Sequence, residues 1–101
     1  MKFVGFVMYD AAKAAEVAQA SDKAAETPGR KVLAGYVCEG LVFPGQPPNT
    51  MVSISIVEYE SNEAMATAMY PMGLAGATVW VVPVLEVTSG RAVATEKQYR
   101  K

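Results

Sequence analysis

The sequence predicts an α+β fold: a four-stranded antiparallel sheet with two helices on one face, its elements in the order β-α-β-β-α-β. Three observations carry that prediction. Residues 1–20 and 51–70 repeat one pattern fifty positions apart, with Met1 answered by Met51, Val7 by Val57, Tyr9 by Tyr59 and Asp10 by Glu60. Ala14 and Ala18 likewise fall on Ala64 and Ala68. Each copy is a run of alternating or apolar residues that ends in Tyr-acid and passes at once into an alanine-rich helical stretch. Finally, 101 residues suffice for one core and not two. Residues 1–88 are read as a single domain and 89–101 as a C-terminal tail.

The first strand spans Lys2 to Tyr9, rich in the β-formers Phe3, Val4, Phe6 and Val7, with Gly5 allowing a bend or a close approach. Asp10 is an N-cap candidate for a helix from Ala11 to Glu26. Lys13, Glu16, Gln19, Lys23 and Glu26 form its polar stripe, and Ala11, Ala14, Ala18 and Ala25 its small apolar face. Such a face is expected to sit close against a sheet. Thr27-Pro28-Gly29 ends the helix.

The second strand is expected from Lys31 to Val42, with Gly35 and Gly40 as bend or bulge points. The loop from Phe43 to Asn49 is stiffened by three prolines. Met51 to Tyr59 is the third strand; a helix from Ser61 or Asn62 to Tyr70 follows, ended by Pro71 and Gly73, with PMGLAGAT as a loop. The fourth strand covers Val79 to Val87, and Pro83 assigns it to an edge or a bulge. The tail RAVATEKQYRK has some helical character.

This order is the split-βαβ, or ferredoxin-like, arrangement. Right-handed crossovers place the first and third strands side by side in the middle, parallel, with the fourth and second strands outside. The repeat also assigns faces. Val4 and Phe6 align with Ile54 and Ile56 as an apolar set expected under the helices, where truncation to alanine should cost far more than at Ser53 or Ser55. The opposite face collects Phe3, Gly5, Val7 and Tyr9 with Ser53, Ser55, Val57 and Tyr59. It is too apolar to be left in water, and a second copy packed sheet against sheet is expected to cover it, giving a homodimer or a higher oligomer.

Composition narrows the function classes. Apolar residues make up 51% and charged ones 19%, and the net charge is −1, so no basic stripe exists for nucleic acid. Lys97, Arg100 and Lys101 read as a solvated end. The opening MKFVGFVMYD lacks the longer apolar run and small-residue site of a leader, and Val79 to Leu85 is far shorter than a membrane span. Cys38 is the lone cysteine, so a disulfide within the chain is excluded and a cytoplasmic setting without membrane contact is expected.

The chain contains no histidine, which excludes a histidine-ligated haem, a Ser-His-Asp triad and a histidine-rich metal site. No cofactor and no metal are expected, since without a histidine and with a single cysteine the chain offers no imidazole or thiolate cluster. Cys38 has apolar neighbours and no adjoining cation, so it is expected to be buried and unreactive. PMGLAGAT lacks the Gly-Lys-Ser/Thr of a phosphate loop and precedes a strand. Met65, Met69 and Met72 read as adaptable core fillers.

Four pieces resemble a family of small proteins known as a domain of unknown function, with a ferredoxin-like fold of the dimeric α/β-barrel type. They are MKFVGFVMYD, the LVFPGQPP loop, the IVEYESNEAMA junction and the closing WVVPVLEV strand, and together they cover nearly the whole chain. Family members often carry a histidine after the proline loop, and this chain has none. The wider superfamily that the resemblance implies includes cofactor-free monooxygenases, isomerases, decarboxylase-like and haem enzymes, as well as proteins without known chemistry.

Two function classes follow. One is a non-catalytic binding or assembly module. The other is a cofactor-independent dimeric α/β-barrel enzyme, monooxygenase- or isomerase-like, acting on a small apolar or aromatic molecule held between sheet and helices. Tyr9, Tyr36, Ser53, Ser55, Tyr59 and Trp80 are the candidate pocket residues by position, with a tyrosine as the acid–base group. The structural account of the Tyr-acid pairs is simpler: each ring closes a strand and each acid complements a helix N-terminus. Trp80 fits a sheet or interface anchor better than a cofactor platform. A cavity with few convergent polar groups discriminates ligand binding from pure assembly.

Overall fold

Alternation of apolar residues sets β1 at Lys2–Asp10, and the helix signals that follow give a 3-10 turn at Ala11–Lys13 and α1 at Ala14–Ala25. The second half repeats this with β3 at Thr50–Tyr59 and α2 at Asn62–Leu74, while β2 at Arg30–Val37 and β4 at Thr78–Pro83 complete the sheet. A last helix, α3 at Arg91–Tyr99, gives the tail its form. The computed structural model describes residues 1–38, 45–85, 87 and 91–100. The expected remainder of the second strand with Gly40, the start of the proline loop and Glu86 lie outside these residues.

The sheet order is β2-β3-β1-β4, with β1 and β3 in the centre as expected. That central pair is antiparallel, which corrects the expectation of a parallel one. Each helical crossover returns the chain parallel to its starting strand but two places over, so the strand lodged between them runs the other way. β1 therefore pairs antiparallel with both β3 and β4, and β2 with β3.

Local signals explain the helix ends. Asp10 Oδ1 accepts the Ala12 N–H at 2.8 Å, and Ser61 Oγ accepts the Ala64 N–H at 3.1 Å. Ser61 caps α2, at the start expected for that helix, and the Glu60 carboxylate lies over Gly29. Contrary to expectation, α2 continues through Pro71 for another turn. That turn buries Met72 in the core, which offsets the backbone hydrogen bond that proline removes. The stop comes at Gly76, whose φ of 98° lies in the left-handed region. The Gly76 N–H donates to Gly73 O and the Ala77 N–H to Met72 O, both at 3.1 Å, the paired bonds of a Schellman cap. Gly76→Ala is expected to lower stability by about 1–2 kcal/mol, the cost of a side chain in this backbone conformation, read as a shifted urea midpoint.

The largest correction concerns the faces. Phe3, Val7, Val57 and Tyr59 are buried with Val17, Ala20, Ala24, Ala68 and Met72, so the Phe3/Tyr59 face is the one under the helices. Val4, Phe6, Ile54 and Ile56 are half-buried and belong to the other face. The helices offer mainly alanines, so the bulk of the core has to come from the sheet, and Phe3 and Tyr59 supply it, edge to face with centroids 5.7 Å apart. The ranking of Phe6→Ala and Ile54→Ala above the serine changes loses the position under the helices on which it rested.

α1 is also rotated from its expected phase. Val17, Ala20 and Ala24 are buried, whereas Ala11, Ala18 and Ala25 are exposed. The 3-10 turn advances the chain differently from an α-helix, and Val17 is the branched apolar residue that sets the inward side. With little bulk below it, α1 packs mainly against α2 and touches the sheet only lightly, instead of lying close on it. In β2 the register shift falls between Val32 and Ala34, at Leu33 and not at Gly35. β4 is an edge strand, as Pro83 requires, and ends at that residue, short of the expected Val87.

Candidate functional site

Because α1 leans on α2, a half-open cleft of about 520 Å³ remains between the helices and the sheet. Its floor follows from the register. Gly5 pairs with Ser55, and Ser55 with Gly35, so three adjacent strands present a row of minimal side chains toward α1. The Ser55 hydroxyl stands only 3.3 Å from where a Cβ on Gly5 would sit, which gives that glycine its purpose. Val7 with Ser53 forms one flanking row, Phe3 with Val57 the other. Met69 and Met72 of α2 and Ala18, Ser21, Asp22 and Ala25 of α1 complete the walls.

Five of the six expected pocket residues border this cleft: Tyr9, Tyr36, Ser53, Ser55 and Tyr59. Tyr59 is a core ring whose hydroxyl accepts from Arg30 Nε at 3.3 Å. Tyr9 is half-buried against the core. Ser53 and Ser55 are half-buried on the floor. Tyr36 stands at the β2 rim, 65% exposed, and its pairing with Ile54 belongs to the open face. Trp80 does not join them. It lies opposite Phe6 on the open face and is 61% exposed, which corrects its assignment to the pocket.

Arg30 and Asp22 went unrecognised in the sequence. A basic residue immediately after the Pro28-Gly29 turn, at the head of a strand, was the available signal for Arg30. Asp22 gave none, since it sits in an exposed helical stretch among other polar residues. The Gly35-Ser55-Gly5 row becomes visible only once strand pairing is known.

The open face has its own character. Val4, Phe6, Ile54, Ile56, Trp80 and Val82 occupy its middle, while Lys2, Lys31 and Glu58 pair across one end and Asp10 with Thr50 across the other. Cys38 extends it beside Val52, to whose carbonyl its N–H donates at 2.8 Å, and is half-buried instead of buried as expected. Among the described residues, no three acidic or thiol groups come together to hold a metal, and no helix is long and apolar enough to cross a membrane.

The backbone is similar to that of a DUF3240 family protein from Shewanella baltica OS155, with a TM-score of 0.50 and 8% identity over 84% of this chain and 91% of that one. An ethyl tert-butyl ether D (EthD) family protein from Bacillus halodurans C-125 matches with a TM-score of 0.45 and 12% identity, over 84% of this chain and 100% of that one. No family model matches the chain, and no curated protein is similar to it in sequence. At these identities the likeness to the Shewanella protein is one of fold: a small α+β domain of ferredoxin-like topology, shared with a protein from a family of unknown function.

Proposed function

We propose that the protein is a non-catalytic binding module that works as a pair of identical chains, each holding a small, mainly apolar molecule between its helices and its sheet. The cleft carries this reading. Its volume falls within the range of small-molecule sites, its lining is largely aliphatic and aromatic, and a few hydroxyls and one guanidinium converge on it. A module built only for assembly would have no use for a hollow floor of Gly5, Ser55 and Gly35.

Pairing is supported by the open face. Four strands about 4.8 Å apart and six to ten residues long present roughly 500 Å² of flat area, the part at Met8 and Val52 already buried, and side-chain relief brings the rest toward the ~800 Å² per partner of a standard interface. An apolar centre with charged rows at its ends is interface anatomy. Lys31 and Glu58 put both signs in one row, so a twofold mate can match charge to charge. The second copy therefore sits on the face carrying Phe6 and Trp80, opposite to the one read from the sequence.

Native mass spectrometry of protein purified from its own cells tests both parts. The expected result is a dimer mass with a small-molecule adduct, and loss of the adduct but not of the dimer in Ser55→Leu, which fills the floor. A bare chain that also gains no thermal stability from a panel of small apolar molecules would overturn the reading.

A further inference from the structure

Building on the cleft as a small-molecule site, its charge pattern narrows the ligand. Arg30 opens β2 opposite Tyr59, is half-buried, and donates through Nε to the Tyr59 hydroxyl. That bond holds one edge of the guanidinium against a core ring. Among the described residues Arg30 forms no ion pair, so its two terminal nitrogens keep their donors. The Tyr59 hydroxyl, accepting from Arg30, retains its own proton to donate. Asp22, the other charged residue bordering the cleft, is exposed on α1, where solvent and salt screen it.

We propose that the cleft binds a small amphipathic carboxylic acid. Its apolar body lies over the Gly5-Ser55 floor against Val57, Met69 and Met72. Its carboxylate meets the planar fork of Arg30, with the Tyr59 hydroxyl donating to the same group. A half-buried guanidinium favours this geometry because a carboxylate accepts two of its N–H groups at once, where a neutral hydroxyl accepts one. The apolar floor and walls confer affinity without regard to charge. Arg30 confers the preference for the acid and fixes which end of the ligand points to the head of β2.

Isothermal titration with matched pairs tests this: octanoate against octan-1-ol, and benzoate against benzyl alcohol, on the unaltered protein, on Arg30→Gln and on Tyr59→Phe. Each acid is expected to bind at least about tenfold more tightly than its alcohol, as a charge-assisted bidentate contact predicts. Arg30→Gln is expected to erase that difference by weakening the acid far more than the alcohol, which loses one N–H contact at most, and Tyr59→Phe to reduce the difference without erasing it. Equal binding of acid and alcohol by the unaltered protein would overturn the carboxylate class and leave the cleft reading standing. An acid preference that survives in Arg30→Gln would also overturn it. Binding of neither member of both pairs would remove the carboxylate class and the cleft reading together.

Discussion

Tyr59→Ala is expected to be the most damaging single truncation in the chain, lowering the free energy of unfolding by about 3–5 kcal/mol. The ring is 2% exposed and meets Phe3, itself 3% exposed, edge to face. Both α1 and α2 offer small residues above it, and Ala24 and Ala68 have no further side chain with which to fill the hole. Relaxation of the surroundings is therefore limited, which places the cost toward the upper part of the range. Tyr59→Phe keeps the ring and loses only the hydroxyl's bond to Arg30, about 1 kcal/mol. Urea unfolding of the two variants beside Ser53→Ala checks this. If the alanine variant at position 59 unfolded with the serine variant, the helices could not lie over the Phe3/Tyr59 face.

Trp80→Glu is expected to separate the two chains of the proposed dimer while leaving each folded. In a single chain the indole is 61% exposed, so the substitution removes little from the core. Across from Phe6 and beside the middle of the open face, it stands where a tryptophan typically dominates an interface. Burying a carboxylate there without a partner adds a desolvation penalty to the lost contact. Together these should weaken the dimer by at least about 2 kcal/mol, roughly thirtyfold in Kd. Light scattering over a dilution series, with circular dichroism as the control for folding, provides the measurement. A dimer as tight as before would mean that the mate does not sit on this face.

The elements and their order were legible because they rest on local chemistry: Asp10 as a cap, alternation from Phe3 to Tyr9, a helix starting at Ser61 or Asn62, and Pro83 in an edge strand. The central pairing followed from handedness, although its direction did not. What could not be read was which sheet face the helices cover. Hydrophobicity ranks Val4, Phe6, Ile54 and Ile56 above Phe3, Gly5, Val7 and Ser55, yet a face awaiting a partner chain can be as apolar as a core, so the ranking is silent on what covers it. The alanines of both helices held the better clue, because a small helix face needs bulky aromatics opposite. The cleft was half legible: Tyr9, Ser53, Ser55 and Tyr59 share one parity on adjacent strands, but the hollow beneath them depends on Gly35 meeting Ser55 across a register that a bulge displaces. Pro71 misled for an energetic reason, since burial of Met72 outweighed a local propensity.

The irregularity at Leu33 bears on how this protein avoids uncontrolled association. β2 is an edge of the sheet, with Val32, Leu33, Tyr36 and Val37 all exposed, and such an edge can template open-ended strand addition. An extra residue between Val32 and Ala34 throws the outer row of N–H and C=O groups out of step midway along only eight residues. An incoming strand can then follow the ladder over one half or the other, never over its whole length. Too short a match to hold a strand makes the edge a poor seed for fibrils, a protection added to the exposed charge that Lys31 places at the head of β2.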